Sequence, residues 1–521
     1  MSATSEQPQQ ESRVKKTLLN AKVNLVFYFL TLVLSFFSRK IFLDCLGAEF
    51  IGFTGTLQNL LGFLNLAELG IGASIGYLLY KPIYDKDHTK INEIISVMGY
   101  LYRWIGIIIL VAGCVLACFI PFIYPSSETG FSYSLTYFAF FSFLTASLIG
   151  YFINYRQNLL GADQRNYVVT GYFQTTNIVK TVVQMVLAYW TGNYFLWVAI
   201  ELTFGVIYSF ILNWKINQTY PWLKADIRLG KKVFKKYPEV MTKTKQLFVH
   251  KISAFIQFQT TPFLTYLFVS LQVVAYYGNY TIITMKIQQL LQNFLGSVSA
   301  SVGNLIAEGN NDKSLRIFWE LFAIRFFIAS VVCFSIFMTI NAFITLWLGS
   351  QYLLPTVTVF LLLVFLFIDI FRGATEVFVF GFGLFQDTWA PITESVIFLV
   401  AALIGGHFLG LNGIILASII SLVIIICIWK PYFLFSKGFK ISVWVYWRGF
   451  AKYFFLSVGM MILCYVVISK LIPINPAESW IKFIIYSCIV AAISAVAYVG
   501  VFYPLTQGTR DAFTRFLKKK R

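Results

Sequence analysis

Charged side chains are scarce in this sequence of 521 residues: Asp, Glu, Lys and Arg make up 12% of it, whereas hydrophobic residues make up 58%. A water-soluble fold usually carries about twice that share of charged residues. The scarcity therefore excludes a soluble enzyme or a soluble binding protein. Aromatic side chains reach 18%, with 54 phenylalanines, and they add to the apolar surface that protein or lipid must cover.

Histidine is also rare, and cysteine pairs are missing. The three histidines, His88, His250 and His407, are far apart in sequence, and the seven cysteines form no Cys-x-x-Cys motif. We therefore expect neither a metal site nor disulfides, and we interpret the cysteines as small apolar residues. The sequence also lacks a P-loop and a dinucleotide-binding glycine motif, so no cofactor is expected.

Apolar runs of about twenty residues recur along the chain, each long enough to cross roughly 30 Å of hydrocarbon as a helix. Backbone amides find no water in lipid, and the alternating segments of a membrane barrel are not seen. The predicted fold is an all-α integral membrane protein with about 14 transmembrane helices. The predicted spans are 20–42, 51–80, 97–123, 133–155, 167–190, 194–214, 250–271, 275–306, 318–347, 353–373, 388–408, 411–430, 450–471 and 480–503.

Lysine and arginine are distributed unequally between the two sides of the predicted bundle. Most lie in the terminal tails and in the loops on the same side, whereas the opposite loops carry only Arg39, Lys40, Lys470 and Lys482. By the positive-inside rule, both termini are predicted to be cytoplasmic. The net charge of +19 then reflects topology and attraction to anionic membrane lipids, and nucleic acid is not an expected partner.

Spans 1–6 and spans 7–12 are predicted to be copies of one another. The run IGFTGTLQNLLGFLNLAELGIGASIG from Ile51 aligns with YGNYTIITMKIQQLLQNFLGSVSASVG from Tyr277, and Gly161 aligns with Gly383. Both copies start from the same side, so they predict two six-helix, parallel-repeat lobes around a central cavity. Spans 13 and 14 have no counterpart in the repeat and are predicted to be two extra C-terminal helices.

The linker between the predicted lobes combines lysines with aromatic residues, which favours an amphipathic helix on the anionic inner leaflet. The predicted organisation is a cytoplasmic tail at 1–19, an N-lobe at 20–214, a basic cytoplasmic linker at 215–249, a C-lobe at 250–430, a basic cytoplasmic loop at 431–449, spans 13 and 14 at 450–503, and a basic cytoplasmic tail at 504–521.

Residues 38–83 read SRKIFLDCLGAEFIGFTGTLQNLLGFLNLAELGIGASIGYLLYKPI. The LG-x-E-x-x-G element, the AELGIG stretch and the YKP exit resemble the N-terminal signature of polysaccharide-export flippases of the O-antigen (Wzx) type, in the multidrug/oligosaccharidyl-lipid/polysaccharide (MOP) superfamily. The rest of the chain matches that family in its six plus six spans, its basic central loop and its two extra spans.

This resemblance implies a MATE-like fold and a function that is not enzymatic. The expected substrate is an undecaprenyl-pyrophosphate-linked oligosaccharide, moved by alternating access from the cytoplasmic to the outer leaflet of the bacterial inner membrane for surface polysaccharide biosynthesis. Other polysaccharide-assembly proteins are further partners to consider. Coupling to H⁺ or Na⁺ is open, since no nucleotide motif supplies energy.

Two other functions are also open. A multidrug/cation antiporter of the same fold would favour an acidic cavity, whereas lysine and arginine at least balance the acids within these spans. An integral-membrane polysaccharide polymerase or acyltransferase would be expected to have a large outer loop or an intramembrane histidine in a polar setting, and the sequence shows short outer loops.

Cations within the spans are candidates for binding a pyrophosphate, because each is costly in lipid. Arg39 and Lys40 close span 1 on the outer side and match the cationic position of the family signature, and Lys286 lies in a polar stripe of span 8. The alternative is a structural role, either snorkelling or pairing with an acid. The full set predicted to form a cationic and polar substrate cavity is Arg39, Lys40, Lys286, Gln289, Asn293, Arg103, Arg325 and Lys180.

A second group is predicted to act in gating or coupling. Glu68, in the AELGIG stretch, is expected to pair with a basic residue or to take up a proton, with a purely structural carboxylate as the alternative. Asp44 and Glu49 lie close in sequence to Arg39. Pro262 removes a backbone hydrogen bond near the middle of span 7, which predicts a bend that helps the lobes to move, with a static kink as the alternative.

Overall fold

The structure is a computed structural model of the chain, and it describes residues 13–68, 71–295, 302, 305–306, 308–384 and 386–518. The side chains of some helical residues in these ranges, Asn293 among them, lie outside the described part. The described backbone consists of helices joined by short turns, and no strand occurs in it. This confirms the predicted all-α fold.

Ten helices in the described ranges are long and apolar enough to cross a membrane, and the protein is therefore a multi-pass membrane protein. Three further helices coincide with predicted spans 5, 7 and 8 but are more polar, because asparagine, glutamine, threonine and lysine interrupt their apolar sequence. They are Asn166–Thr191, Pro238–Phe268 and Leu271–Leu295. Predicted span 2, which the structure divides into several helical segments, completes the set predicted from the sequence.

The chain divides into two compact units, unit 1 at Met1–Phe255 and unit 2 at Ile256–Arg521. The helices of unit 1 are α1 (Arg13–Gly62), α2 (Ile71–Asp85), α3 (His88–Ile123), α4 (Ser126–Thr129), α5 (Tyr133–Phe152), α6 (Gln157–Ala162), α7 (Asn166–Thr191), α8 (Tyr194–Thr219), α9 (Ile227–Val233) and the first part of α10 (Pro238–Phe268).

Helix α1 contains the first predicted span and the start of the second in one run of 50 residues. Its helical geometry is interrupted at Gly47, where φ is 83° and ψ is 161°. Glycine adopts this positive φ without the steric cost that a side chain would bring. The first two spans therefore meet at a kink at Gly47. The second includes the end of α1, a 3₁₀ stretch at Phe63–Glu68 and, from Ile71, α2.

The core of unit 1 near this kink is aromatic. The rings of Phe50 and Tyr194 stack with centroids 4.4 Å apart, and the Phe131 ring packs edge-on against both. Phe50 and Phe53 are fully buried. In the rest of unit 1, α1 packs against α7, and α3 packs against α5 and α9. The ring contacts fix the kinked segment of α1 to the start of α8.

Unit 2 contains the rest of α10 and nine further helices in the described ranges. They are α11 (Leu271–Leu295), α12 (Asn311–Trp347), α13 (Thr356–Gly381), α14 (Trp389–Leu409), α15 (Leu411–Leu422), α16 (Lys430–Phe433), α17 (Trp444–Leu471), α18 (Trp480–Leu505) and α19 (Gln507–Lys518). A π-helical stretch, Val423–Trp429, joins α15 to α16.

Helix α12 forms the centre of unit 2. Its Phe318, Phe322 and Phe326 recur every four residues, lie on one face and are fully buried. Phe318 packs against Phe378 of α13, and Phe322 packs against Tyr446 of α17. Helices α18 and α19 also pack on α12. The predicted spans 13 and 14, which correspond to α17 and α18, are thus integral parts of unit 2.

Candidate functional site

Helix α13 carries three charged residues in the middle of an apolar sequence. Arg372 Nη2 lies 2.7 Å from Asp369 Oδ1, and Arg372 Nε lies 3.6 Å from Glu376 Oε1. The spacing of three and four residues places all three side chains on one face of the helix. The side chain of Asp369 is 8% exposed and that of Arg372 is 24% exposed. Charges at such positions are costly in a membrane helix and indicate a function.

Neighbouring helices of unit 2 extend this cluster. Gln288 of α11 donates a hydrogen bond to Asp369. Arg325 of α12 donates from Nη1 to the Ile370 carbonyl oxygen at 3.3 Å and interacts electrostatically with the carboxylates of α13. A Cβ on Gly373 would lie 2.2 Å from Arg325 Nη1. A side chain at position 373 would therefore displace the guanidinium from its place against the α13 backbone.

A second polar group adjoins the first. Gln257 Nε2 of α10 donates to Glu394 Oε1 of α14 at 3.0 Å and to Ser421 Oγ of α15 at 3.3 Å. Gln257 and Glu394 are both buried, and Glu394 interacts electrostatically with Arg372. We call Asp369, Arg372, Glu376, Arg325 and Glu394 the α13 charge cluster.

The other face of α13 lines an apolar cavity of about 570 Å³. Phe360, Val364 and Phe367 recur at helical spacing on that face, roughly opposite to Asp369 and Glu376. The remaining walls come from α12, α15, α17, α18 and the π-helical stretch, through Phe334, Phe337, Ile419, Val423, Ile428, Trp447, Phe450, Phe454 and Tyr498, among others.

Two features define this cavity further. The hydroxyls of its two serines, Ser330 and Ser457, lie 2.9 Å apart and hydrogen bond to each other, so they offer little to a polar ligand. Phe360, Ile428 and Phe454 at its rim are exposed, which shows that the cavity opens at the surface of unit 2. One wall is formed by the π-helical stretch, and π-helical turns are frequent at functional sites. The cavity is suited to an apolar chain.

Comparisons with known proteins identify the fold. The sequence matches no family model and no curated protein. The solved structure of the lipid II flippase MurJ in its inward closed conformation matches with a TM-score of 0.63 and 14% identity, covering 94% of this chain and 99% of that chain. An inward-facing multidrug resistance MATE family transporter of the MOP superfamily matches with a TM-score of 0.61 and 17% identity, covering 81% and 99%. This chain has the MOP transporter fold. The predicted MATE-like architecture is confirmed.

Within this fold, Glu68 lies at the end of the 3₁₀ stretch in unit 1. The Tyr102 hydroxyl donates to Glu68 Oε1 at 2.6 Å, and the Tyr151 hydroxyl lies 2.8 Å from Glu68 Oε2 and 2.9 Å from Asn65 Oδ1. Both tyrosines are buried. Among the described residues, no lysine or arginine forms an ion pair with Glu68, so tyrosine hydroxyls take the place of the basic partner expected from the sequence.

Lys180 has a partner that the sequence analysis did not assign to it. Lys180 Nζ of α7 lies 2.6 Å from Glu201 Oε1 of α8, and Gln184 Nε2 donates to Glu201 Oε2 at 3.1 Å. The charge of Lys180 is therefore neutralised within unit 1. This pair joins two neighbouring helices, which supports the structural alternative for Lys180 over substrate binding.

The other predicted residues of unit 1 are more exposed. Lys40 Nζ lies 3.4 Å from Asp44 Oδ2, and each side chain is 50% exposed. Arg39 on the same helix is partly buried, whereas Glu49 is exposed. Arg103 is exposed on α3, and no side-chain contact of it is described. The structure thus joins Lys40 to Asp44 but not to Glu49.

In unit 2, the structure divides the predicted residues between the charge cluster and α11. Arg325 belongs to the charge cluster, as described above. Lys286 is partly buried on α11 and Gln289 is exposed there, while the Asn293 side chain lies outside the described residues. It is Gln288, one residue before Gln289, that contacts Asp369. Adjacent helix positions point about 100° apart, which separates the two glutamines.

Helix α10 runs without interruption through Pro262. Near it, Thr261 Oγ1 donates to the Gln257 carbonyl oxygen at 2.8 Å, and Thr265 Oγ1 donates to the Thr261 carbonyl oxygen at 2.8 Å. The hydroxyls of Thr261 and Thr265 are thus bonded to the helix itself, whereas the buried Thr260 Oγ1 has no hydrogen-bond partner among the described residues. The bend at Pro262 stays a prediction.

Asp369, Arg372 and Glu376 are not among the site residues predicted from the sequence. Predicted span 10 ends at residue 373, and the sequence analysis assigns no role to the charged residues at or beyond its end. The signal was nevertheless present, since an acid, a base and an acid at positions i, i+3 and i+7 share one helix face. A search for charge pairs at helical spacing inside apolar runs would find them.

Proposed function

We propose that this protein is a flippase that moves an undecaprenyl-pyrophosphate-linked oligosaccharide from the cytoplasmic to the outer leaflet of the bacterial inner membrane by alternating access. The observation that carries the proposal is that α13 places a charge cluster on one face and an apolar cavity on the other. A lipid-linked oligosaccharide has the same division into a charged head and an apolar tail.

The cavity would take part of the polyprenyl tail. Its volume of about 570 Å³ is within the range of roughly 300–1,000 Å³ that is usual for ligand sites, and a long isoprenoid would fill it with only a segment. A chain that moves from lipid into this cavity exchanges one apolar surrounding for another. Dispersion contacts with the aromatic walls would then hold it.

Arg372 is the candidate for the pyrophosphate. A guanidinium offers a planar fork of donors that matches phosphate oxygens and keeps its charge in a membrane. In the structure, this fork is occupied by Asp369 and Glu376. A pyrophosphate would therefore have to replace a carboxylate as the partner of Arg372.

Competition between the carboxylates and the pyrophosphate for Arg372 would couple substrate binding to protonation. The α13 charge cluster contains three carboxylates, Asp369, Glu376 and Glu394, and two guanidiniums, Arg325 and Arg372. When all are ionised, the sum is negative and repels an anion. Protonation of one carboxylate would release Arg372 for the pyrophosphate, so we propose H⁺ as the coupling ion. A Na⁺ ion at the same carboxylates is the alternative, to be separated by measuring transport under H⁺ and Na⁺ gradients.

The second candidate function is multidrug/cation antiport. The excess of carboxylates in the α13 charge cluster and the aromatic walls of the nearby cavity are also suited to an organic cation. A polymerase or acyltransferase finds no support, because the similar solved structures are of transporters. Both remaining candidates share the orientation proposed from the lysine and arginine distribution, with both termini in the cytoplasm.

Deletion of the gene in its host tests the proposal. We expect the complete lipid-linked oligosaccharide to accumulate and surface polysaccharide to disappear, and wild-type protein to restore both. Arg372→Gln and Arg372→Lys should fail to restore them at wild-type protein levels. Arg510→Gln, which changes an exposed arginine of α19 without described side-chain contacts, should succeed. Unchanged lipid pools with lost drug efflux would instead establish the antiporter.

A further inference from the structure

The segment between α8 and α10 concentrates positive charge at the surface of unit 1. Its exposed cations are Lys224, Arg228, Lys231, Lys232, Lys235 and Lys236. Of these six residues, Lys236 alone forms an ion pair with another described residue. Its Nζ lies 3.5 Å from Glu93 Oε1, and its side chain is still 64% exposed. The other five side chains make no described ion pair. We call these six residues the α9 platform.

The platform is fixed closely to α3. A Cβ on Gly230 would lie 2.0 Å from the Ser96 carbonyl oxygen, so the backbones of α9 and α3 are in direct contact. The Asp226 backbone N–H donates to Ser96 Oγ at 3.0 Å, and the Asp226 side chain caps α9 by accepting from the Arg228 N–H. Val233 is buried on the same side.

The two flanks of α9 are also tied to α3. The Lys224 backbone N–H donates to Asn92 Oδ1 at 2.7 Å, and the Tyr237 hydroxyl donates to Glu93 Oε2 at 2.8 Å. Burial and this hydrogen bond raise the pKa of Tyr237, so its hydroxyl keeps its proton and continues to donate. The Trp222 ring stacks on His88 with centroids 3.9 Å apart. The apolar and aromatic side of the segment is therefore packed against the protein itself.

We propose that the α9 platform docks onto the headgroups of anionic phospholipids through charge alone, without inserting into the bilayer. This differs from the amphipathic membrane helix that the sequence favoured, because the residues that would insert are packed on α3 instead. The partner follows from charge complementarity, since clustered lysines beside membrane spans are attracted to an anionic leaflet. Attraction of this kind decays within a Debye length of about 8 Å at physiological salt.

Hydrogen exchange measured by mass spectrometry on the full-length protein in nanodiscs tests this inference. We expect peptides over 220–240 to exchange about tenfold more slowly in nanodiscs with 30% phosphatidylglycerol than in pure phosphatidylcholine. The difference should disappear at 0.5 M salt, and it should also disappear in Lys231→Gln/Lys232→Gln/Lys235→Gln. Equal exchange in both lipids, or protection that persists in high salt, would overturn charge-only docking.

A matched variant removes the same charge elsewhere. Lys437→Gln/Lys440→Gln/Lys452→Gln changes three exposed lysines of unit 2 and should leave the lipid dependence at 220–240 intact. If this control also lost the lipid dependence, the protection would come from the total charge of the protein and not from the α9 platform, which would contradict the proposal. The nanodiscs contain no lipid-linked oligosaccharide. If protection appeared only after polyprenyl pyrophosphate was added, the platform would be a substrate site and the phospholipid assignment would be wrong.

Discussion

The two units treat their membrane-embedded charges differently. In unit 1, Lys180 and Glu201 form an isolated pair, and Glu68 is held by two tyrosine hydroxyls. In unit 2, the charges meet in a cluster that includes residues of three helices and borders an apolar cavity. The two halves were predicted as repeats from the sequence, yet the residues suited to an amphiphilic cargo are concentrated in unit 2. Similar helix order in the two halves thus does not imply similar chemistry.

The largest expected effect comes from breaking the cluster at Arg372. Arg372→Gln leaves two carboxylates without their cation, and losing one partner of a buried ion pair costs about 3–5 kcal/mol. We expect transport to fall by at least about a hundredfold. Flux of lipid-linked oligosaccharide into proteoliposomes, normalised to folded protein, measures it. Normal flux in this variant would remove Arg372 from the mechanism.

Gly373→Ala should be the next most harmful change. The added Cβ would lie 2.2 Å from Arg325 Nη1 and push the guanidinium away from α13. The displaced guanidinium would lose its hydrogen bond to the Ile370 carbonyl oxygen and its place beside the carboxylates of α13. We expect a cost of about 1–3 kcal/mol, seen as a lower melting temperature in detergent. Gly459→Ala is the control, because nothing lies within 4 Å of a Cβ at that α17 position. An equal change in both variants would contradict the contact.

A double-mutant cycle on Lys180 and Glu201 tests whether the ion pair in unit 1 is structural, in contrast to the charge cluster of unit 2. Lys180→Gln and Glu201→Gln should each lower stability by about 1–3 kcal/mol, because each leaves a partly buried charge without its partner. The double variant should lose less stability than the two single variants lose in total, because it leaves neither charge without its partner. Transport per folded molecule should stay near the wild-type rate. A large loss of transport in the double variant would give Lys180 a role in binding.

Filling the cavity should give the smallest effect. Val364→Trp adds a ring to a space of about 570 Å³, which has room for it without disrupting the core. We expect flux of a long-chain substrate to fall by about tenfold while stability changes little, because only the tail contact is lost. A short-chain analogue that does not reach the cavity should be transported as before. Equal loss for both substrates would mean that the substitution acts through structure.

Much of the architecture could be predicted from the sequence, because lipid forces each apolar run of sufficient length to become a helix. The break at Gly47 was not predicted, since one residue with positive φ inside a helix leaves no hydropathy signal. The contact of Gln288 with Asp369 was not predicted for a similar reason: a stripe of polar residues on a helix does not show which of them meets a given partner.

The cavity could not be predicted from the sequence, for a different reason. Its walls come from α12, α13, α15, α17, α18 and the π-helical stretch, most of which are distant in sequence. The apolar side chains that form these walls do not differ from those of an ordinary apolar helix. The charges of α13 were visible, but their meaning depends on the neighbours. Only the packed structure brings Arg325, Gln288 and Glu394 to the same helix.

The central claim is that α13 binds a lipid-linked substrate through its apolar face as well as its charged one. Replacing Phe367 in the cavity by benzoylphenylalanine and irradiating membranes that contain the lipid-linked oligosaccharide tests it most directly. The account predicts a covalent adduct with the polyprenyl lipid, reduced by excess polyprenyl pyrophosphate and absent when Phe210, exposed on α8, is replaced instead. Adducts with bulk phospholipid alone, or equal adducts at both positions, would contradict it.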